Sequence, residues 1–282
     1  MTNSTVRESR GAVHDGRAPW SVLSAFARLW QQRALLLRSV IIDVKAQYAG
    51  TVLGLSWVIL GPVLLLVLYA MIYAVIFRIR VPNFTTAEYI LNVFSGLVPF
   101  LAFAQALAVS VSVLGKERKL LFSRFPAEFI PIKAVMVAYV MLLVGTIMVF
   151  IGDTVFSQAT WTLLLVPVVA LLQLMFSIGL GMILALLSLV LRDIQFIIQY
   201  VVIALLIVTP IAYTPDMIPG KLKVLLYLNP LFYYVSAYQH LVLVNTLPPT
   251  HITILCVGSS LIMLVGGFWF FARARQALSD LL

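Results

Sequence analysis

The side chains able to do chemistry in this sequence are few and scattered. Of its 10 Asp and Glu residues, none lies within a long apolar run. Carriers driven by protons or sodium need ionisable groups inside their helical bundle, so this distribution disfavours that class of protein. The three histidines are far apart, and Cys256 is the single cysteine. The sequence therefore predicts no catalytic residue and no metal site in this chain.

A nucleotide-binding loop is not found either. The motif that cradles phosphates reads Gly-x-x-x-x-Gly-Lys-Ser/Thr. Both Gly-Lys pairs of this chain, Gly115-Lys116 and Gly220-Lys221, lack the hydroxyl residue after the lysine. We therefore expect no cofactor in this chain, and any energy from ATP has to come from another subunit.

The most distinctive polar stretch is residues 115–131, which read GKERKLLFSRFPAEFIP. It begins with charged residues, continues as an amphipathic run and is interrupted by Pro126 and Pro131, which disfavour a continuous helix. A short helix here would stand at a membrane surface and present charged side chains to a partner. Those side chains belong to Glu117, Arg118, Lys119 and Arg124. The alternative is an ordinary basic loop between two membrane helices, and composition does not choose between the two.

A second charged pair, Arg192 and Asp193, forms a very short connection between two apolar runs. Such a pair can neutralise its own charge at an interface, or its side chains can bond the loose backbone groups that helix ends leave unsatisfied. We interpret it as a structural turn rather than a binding site.

Four tyrosines fall deep within apolar runs: Tyr69, Tyr73, Tyr139 and Tyr200. A buried tyrosine hydroxyl needs a hydrogen-bond partner. Sugar rings stack on aromatic faces while their hydroxyls form hydrogen bonds, so a wall of tyrosines would suit a glycan pathway. Hydrogen bonding between helices is the simpler interpretation, and we favour it for any single tyrosine.

The elements that position these residues are set by an extreme composition. Hydrophobic residues make up 62% of the chain and charged residues 10%, whereas soluble domains are nearer half and a quarter. A helix needs about 20 apolar residues to cross the hydrocarbon core of a bilayer. Six runs satisfy this requirement, at 55–77, 89–114, 132–152, 163–191, 194–213 and 252–272. The sequence thus predicts an all-α integral membrane protein with six transmembrane helices.

Basic residues set the orientation of these helices. Loops rich in Lys and Arg stay in the cytoplasm, and all but four of the 19 Lys and Arg residues fall on the side that holds both chain ends. Both termini are therefore predicted to be cytoplasmic, in the cell inner membrane. The same rule explains the net charge of +9, so we expect no nucleic-acid partner.

Two predicted cytoplasmic segments flank the spans at the chain ends. Residues 1–20 are polar and predicted to be a disordered leader, and residues 276–282 form a short tail. Between the leader and the first span, residues 21–50 carry apolar side chains at helical spacing, with basic residues largely off that stripe. This pattern predicts an amphipathic helix in the membrane interface, or one packed on a partner protein. Its marker residues are Trp30, Arg38 and Lys45.

The stretch 214–246 is harder to assign, because residues 222–244 are apolar enough for a seventh span. Proline removes a backbone donor and clashes one turn back, so Asn229-Pro230 interrupts such a helix. A full crossing would also place the carboxyl end outside the cell. We therefore predict a broken, partly re-entrant hairpin on the periplasmic side, marked by Pro215, Asn229, Pro230 and Tyr233.

One pattern of small residues bears on helix packing. Ser177, Gly181 and Ala185 are four residues apart on one face of the fourth predicted span. Small side chains at this spacing allow two membrane helices to approach closely. The pattern predicts a helix contact without identifying the partner helix.

Four stretches, in order, resemble the membrane subunit of polysaccharide-exporting ABC transporters of the O-antigen, teichoic-acid and capsule type. The first reads DVKAQYAGTVLGLSWVILGPVLLLVLYAMIYAVIF at 43–77, and the second reads KLLFSRFPAEFIPIKAV at 119–135. The third is LRDIQFIIQY at 191–200, and the fourth combines PIAYTPDMIP and LNPLFYYVSAYQ within 210–239.

The resemblance implies a homodimer of six-span subunits and two copies of a separate ATPase that hold ATP and Mg²⁺. It implies a lipid-linked polysaccharide as cargo, foremost lipopolysaccharide O-antigen. The segment from Glu117 to Pro126 would dock into the ATPase, the helix before the first span would lie in the membrane interface, and the Asn229-Pro230 hairpin would guard the periplasmic exit.

Other functions remain open at this point. The cargo could be a capsular polysaccharide or a teichoic acid, or the same architecture could export a drug or a small lipid. A membrane enzyme, such as a transferase of lipid-linked sugars, would need carboxylates, histidines or metal ligands clustered at one face, and the sequence offers no such cluster.

Overall fold

The computed structural model describes residues 22–72, 85–121, 125–156, 160–213 and 215–278, and within these ranges the chain forms helices and turns without any β-strand. The α-helices are α1 Val22–Gln31, α2 Arg33–Gln47, α3 Trp57–Ala70, α4 Thr86–Lys116, α5 Arg118–Leu121, α6 Phe129–Phe156, α7 Val166–Val190, α8 Ile194–Val208, α9 Lys223–Leu228, α10 Pro230–Gln239 and α11 Thr250–Leu278. Residues 1–20, Tyr73, Arg124 and the last residues of the tail lie outside the described ranges.

Four helical stretches are long and apolar enough to cross a bilayer: Thr86–Lys116, Phe129–Val155, Trp161–Val190 and Thr250–Ala274. The chain is therefore a multi-pass membrane protein made of helices, as the sequence predicts. The other two predicted spans correspond to shorter apolar helices, Gly54–Ala70 and Ile194–Val208. The count of six crossings thus stays a prediction.

Helix boundaries differ from the predicted ones for local reasons. α4 begins earlier than predicted because Thr85 and Glu88 form a capping box, in which each side chain accepts a hydrogen bond from the other residue's backbone N–H. α8 ends at Val208, five residues before the predicted end of the fifth span at 213. Pro210 explains this end, because the residue before a proline avoids helical backbone angles, and Thr209 is extended with ψ 125°.

The core of the bundle forms around α4, which contacts α3, α6, α7, α8 and α10. Most of the side chains along its length are buried. α7 packs between α4 and α6 on one side and α11 on the other. Because successive helices run in opposite directions, the end of α4, the start of α6, the turn at 191–193 and the end of α11 lie together. We call this the basic end. The opposite end of the bundle is the hairpin end.

The small-residue stripe of α7 faces α4 and α6. Ser177 bonds to Tyr139 of α6, and a Cβ atom on Gly181 would meet Ser110 of α4 and Val135 of α6. The closest helix contact lies on the other face of α7, at Gly179. A Cβ atom there would overlap the Met263 carbonyl of α11, so the two backbones touch.

The predicted amphipathic helix at 21–50 consists of two helices, α1 and α2, with a break at Gln32. α2 buries Leu36 and Val40 against the bundle, and α1 contacts α11. Gly50 and Gly54 have positive φ angles of 80° and 52°, which glycine adopts without steric cost. These two residues allow the chain to turn sharply from α2 into α3.

At the hairpin end, the stretch between α8 and α11 breaks into two helices. α9 ends at Leu228, and Asn229 serves as the N-cap of α10 with Pro230 at its first position. α10 is buried along most of its length and packs against α4, α7 and α11. After α10 a single π-helical stretch, His240–Val244, leads to Asn245 in the left-handed conformation.

Candidate functional site

A buried lysine organises the basic end of the bundle. The Lys133 ammonium lies 2.8 Å from an Asp43 carboxylate oxygen and donates to both Glu117 oxygens at 2.9 and 3.0 Å. The Lys133 side chain is 5% exposed, whereas Asp43 is 34% and Glu117 27% exposed. A cation removed from water needs counter-charges at close range. These three residues therefore tie α2, the end of α4 and α6 together.

A second ion pair joins the N-terminal helices to the same region. Arg28 on α1 lies 3.4 Å from Glu128, measured from Nε to Oε1, and Glu128 is buried just before α6. Both α1 and α2 thus hold the residues around the start of α6, and Lys133 in turn holds Glu117 at the end of α4. We call the Arg28–Glu128 pair and the Asp43–Lys133–Glu117 cluster the N-terminal clamp.

Sequence reasoning missed Arg28, Asp43, Glu128 and Lys133 as parts of a site. The residues that pair in the clamp are about 90 or 100 positions apart along the chain, as in Asp43–Lys133 and Arg28–Glu128. No local sequence pattern therefore indicates that they are in contact. The one available signal was chemical, because Lys133 lies one turn into an otherwise apolar helix. A lysine in that position requires a carboxylate partner.

The predicted docking residues at 115–131 have different surroundings. Glu117 ends α4 and turns inward to Lys133, whereas Arg118 and Lys119 on the short helix α5 are exposed. Pro126 is half-buried, and Arg124 lies outside the described residues. The exposed cations suit an acidic partner surface. That this partner is an ATPase stays a prediction.

The marker residues of the N-terminal helices point outward. The Trp30 side chain is 72% exposed, and the Arg33 guanidinium lies 4.4 Å from the centre of its ring, a cation–π contact. Arg38 and Lys45 are exposed on α2, next to the exposed apolar side chains of Leu37 and Ile41. Exposed apolar residues flanked by cations are typical of a helix in a membrane interface, and that placement remains a prediction.

The tyrosines do not share one surface in the described residues. Tyr139 is buried, and its hydroxyl donates to the Gln173 carbonyl at 3.1 Å and bonds to Ser177. Tyr200 on α8 is 74% exposed and Tyr69 on α3 is half-buried, while Tyr73 lies outside the described residues. Tyr139 therefore forms hydrogen bonds between helices and contributes to their packing. The exposed Tyr200 side chain could instead contact another molecule.

Tyr139 belongs to a group of buried polar side chains between α4, α6, α7, α10 and α11. Two tyrosines of α10 that the sequence did not single out also belong to this group. Tyr238 donates to the Gln173 side chain at 3.1 Å, and the amide of Gln173 donates to the Pro99 carbonyl at 2.8 Å. The Tyr234 hydroxyl bonds to Ser260 at 2.6 Å. Buried polar groups of membrane helices find their partners in neighbouring helices, so these bonds fix α10 against α4, α7 and α11.

The predicted hairpin residues form a separate polar group where α8 ends and α10 begins. Asn229 accepts from the Leu231 N–H at 3.0 Å and donates to the Thr209 hydroxyl at 2.8 Å. Both Asn229 and Thr209 are buried. Tyr233 donates to the Tyr227 carbonyl at 2.8 Å, and Pro215 begins a turn of 3₁₀ helix. Asn229 therefore couples the break in the hairpin to the end of α8.

Arg192 and Asp193 lie in the turn between α7 and α8, and both are exposed. The side chain of Asp193 makes no capping bond to α8. Their position in a turn at the basic end is compatible with the predicted structural role. That role stays a prediction.

The described residues contain no group of three or more His, Cys, Asp or Glu side chains placed to hold a metal ion. They do enclose a cavity of about 340 Å³ between α2, α3, α4 and α6. Its polar lining comes from Gln47, Tyr48, Trp57 and Gln105.

Comparisons with known proteins place the chain in a family. Residues 32–243 match the family model described as ABC-2 type transporter. The chain is 28% identical over 256 residues to the O-antigen export system permease protein RfbA of Myxococcus xanthus, covering 89% of this chain and 96% of the relative.

Two proteins of that name from Klebsiella pneumoniae are each 27% identical to the chain. The matches run over 246 and 227 residues and cover 85% and 79% of this chain and 92% and 86% of the relatives. They confirm the resemblance seen in the four sequence stretches. With a family match over more than half of its length and a bundle of membrane-spanning helices, this chain belongs to the ABC-2 type transporter family.

Proposed function

We propose that this chain is the permease subunit of an ATP-driven exporter that carries a lipid-linked O-antigen polysaccharide out of the cytoplasm across the inner membrane. The observation that carries the proposal is similarity along most of the chain to three permeases named for O-antigen export. Membership of the ABC-2 family implies a transport component whose ATPase is a separate subunit, and no phosphate-binding loop occurs in this sequence.

The proposed assembly is a homodimer with two ATPase subunits, and the exposed surface of α8 supports a second copy. α8 exposes Phe196, Ile197 and Ile203, and it also exposes the amides of Gln195 and Gln199 one turn apart. Polar side chains are costly against lipid, so this face suits a protein neighbour or a polar pathway. By contrast, the outer face of α6 is aliphatic, with Leu143, Ile147 and Ile151 exposed.

The proposed crossing at the hairpin end uses two partial helices. α8 has 15 residues and is about 22 Å long at 1.5 Å per residue, less than the roughly 30 Å of a hydrocarbon core. The Asn229–Thr209 bond brings the start of α10 to the end of α8. We infer that the hairpin enters the membrane from the periplasmic side and lines the exit. Asn229 and most of α10 are buried by the rest of the protein, as irregular segments at membrane depth require.

In this proposal the basic end faces the cytoplasm and both chain termini lie there. α5 and the exposed Arg118 and Lys119 would dock into the ATPase. The cavity between α2 and α4 lies beside the proposed interface helix.

The proposal is tested by deleting the gene in its own host and examining lipopolysaccharide on the cell surface. We expect loss of surface O-antigen and accumulation of lipid-linked glycan in the cytoplasm, with both reversed when the gene is restored. Unchanged O-antigen after deletion would contradict the proposal. Loss of a capsule or of another surface glycan instead would identify a different cargo for the same exporter.

The docking prediction is tested on α5. Arg118→Ala removes an exposed cation of the docking surface, and we expect it to lower ATP hydrolysis by the reconstituted permease–ATPase complex several-fold, because electrostatic complementarity sets the fit of such interfaces. Helical content and yield of the permease should not change, since Arg118 is exposed. Arg118→Lys is the matched control, because it keeps the charge. Normal hydrolysis by the alanine variant would remove Arg118 from the docking surface.

A further inference from the structure

Residues 117–133 contain the proposed docking residues, and we call them the coupling segment. The N-terminal clamp fastens α1 and α2 to the carboxyl-terminal part of this segment, at Glu128 and Lys133. The Lys133 ammonium bonds at once to Asp43 of α2 and to Glu117 at the end of α4. Arg28 of α1 pairs with Glu128, five residues before Lys133. A movement of this segment can therefore be transmitted in two ways. It can pass along α4 and α6, and it can pass through the ion pairs to α1 and α2.

The three charges of the cluster are not equivalent. Lys133 is its single cation, so its loss would leave the Asp43 and Glu117 carboxylates facing each other without compensation. Removing the charge of Asp43 leaves Lys133 still paired with Glu117. Since an uncompensated buried charge is what makes a broken ion pair costly, the Asp43 variant loosens α2 selectively, whereas the Lys133 variant disturbs the whole basic end.

The clamp also sets the rotation of α2 about its axis. Asp43 follows Leu36 and Val40 at helical spacing, and both of these residues are buried against the bundle. This buried face leaves Leu37, Ile41 and the cations Arg38 and Lys45 outward. Beyond α2, the short turn at Gly50 and Gly54 passes directly into α3. α2 and α3 are thus linked to Lys133 through Asp43.

We propose that Asp43 and Lys133 are positioning residues that make α2 and α3 move together with the coupling segment during each transport cycle. The inference rests on the proposed function as an ATP-driven exporter. Without the Asp43–Lys133 bond, the ATPase would still move α4 and α6, but α2 and the start of α3 would lag behind.

The experiment uses the complete permease–ATPase complex reconstituted in vesicles, with export of lipid-linked glycan and ATP hydrolysis measured on the same sample. For Asp43→Asn we expect the amount of glycan exported per ATP hydrolysed to fall about five-fold or more, the lower range of coupling between distant sites. Hydrolysis itself should stay near the level of the unaltered complex. Asp43→Glu keeps the carboxylate and is expected to retain the export ratio.

The charge exchange Asp43→Lys with Lys133→Asp places a cation on α2 opposite two carboxylates, and we expect it to restore the ratio that Asp43→Lys alone loses. Rescue would show that the ratio depends on the ion pair between these two positions and not on either side chain alone. Lys133→Met is expected to lower the yield of folded permease, whereas Asp43→Asn is not.

Hydrogen exchange provides a readout that does not depend on export. In the Asp43→Asn variant, amide exchange in α2 should rise while exchange in α6 stays unchanged, because only α2 loses its tie. An unaltered export ratio in Asp43→Asn, or unaltered exchange in α2, overturns the inference. Failure of the unaltered complex to export glycan would instead overturn the proposed function, and the exchange result would still report on the clamp.

Discussion

Single residues in this protein act mainly by completing polar contacts that lipid cannot supply. Asn229 is the clearest case, because one amide caps α10 and bonds Thr209 at the end of α8. The sequence marked this residue only through the proline that follows it. Its capping role was open to prediction, since asparagine before proline is a favoured helix start. Its bond to Thr209 was not, because that contact depends on the fold.

Asn229→Ala should destabilise the permease. Loss of the helix cap costs roughly 0.5–2 kcal/mol, and the buried Thr209 hydroxyl loses a donor as well. We expect a lower midpoint of thermal unfolding in detergent, with Asn229→Ser retaining most of the stability because a hydroxyl oxygen can still cap the helix. Equal midpoints for Asn229→Ala and the unaltered protein would show that the cap is unimportant.

At the scale of helices, hydropathy was sufficient to predict the four long spans, because their length and apolar content are local properties of the sequence. The break at Gln32 and the N-terminal clamp were not predictable in this way. The clamp joins charges that are distant in sequence. A single basic residue in an apolar run does not indicate which acidic residue it pairs with. The stripe of Ser177 and Gly181 pointed to a close helix contact, yet Gly179, almost opposite on α7, makes the closest one.

Gly179→Ala tests the crossing of α7 and α11. The added Cβ atom would overlap backbone atoms of Met263 and Leu264, which cannot rotate away as a side chain would. Overpacking of this kind costs about 1–3 kcal/mol, so we expect a lower unfolding midpoint and poorer membrane insertion. Gly266→Ala is the control, because a Cβ atom there meets nothing within 4 Å. Equal stability of the two variants would mean that the helices separate easily.

At the scale of the whole molecule, the exposed faces of α6 and α8 differ in chemistry. α6 presents aliphatic residues to its surroundings, whereas α8 adds glutamines and Tyr200 to its apolar side chains. The sequence marked both helices as spans but gave no sign of which face is outward, since that depends on the packing of the other helices. In the proposed assembly, α8 is the helix whose mixed polar and apolar surface contacts a second copy.

A cysteine placed on α8 should report the dimer. Gln199→Cys is expected to form a disulfide or a short bifunctional cross-link between two copies in native membranes, detected as a doubled mass on denaturing gels. The native Cys256 is buried and should not react. Ile147→Cys on the aliphatic face of α6 is the control and should remain monomeric. Cross-linking of the α6 cysteine alone would place the dimer contact elsewhere.

The buried Lys133 also has a consequence for how the protein is made. The ribosome releases Arg28 and Asp43 well before Glu128 and Lys133, their partners in the clamp. Until α6 has entered the bilayer, the clamp partners of Arg28 and Asp43 are not yet in place. Insertion of α6 brings Glu128 and Lys133 into place, so we expect the amino-terminal helices to reach their final position only after α6 has entered the bilayer.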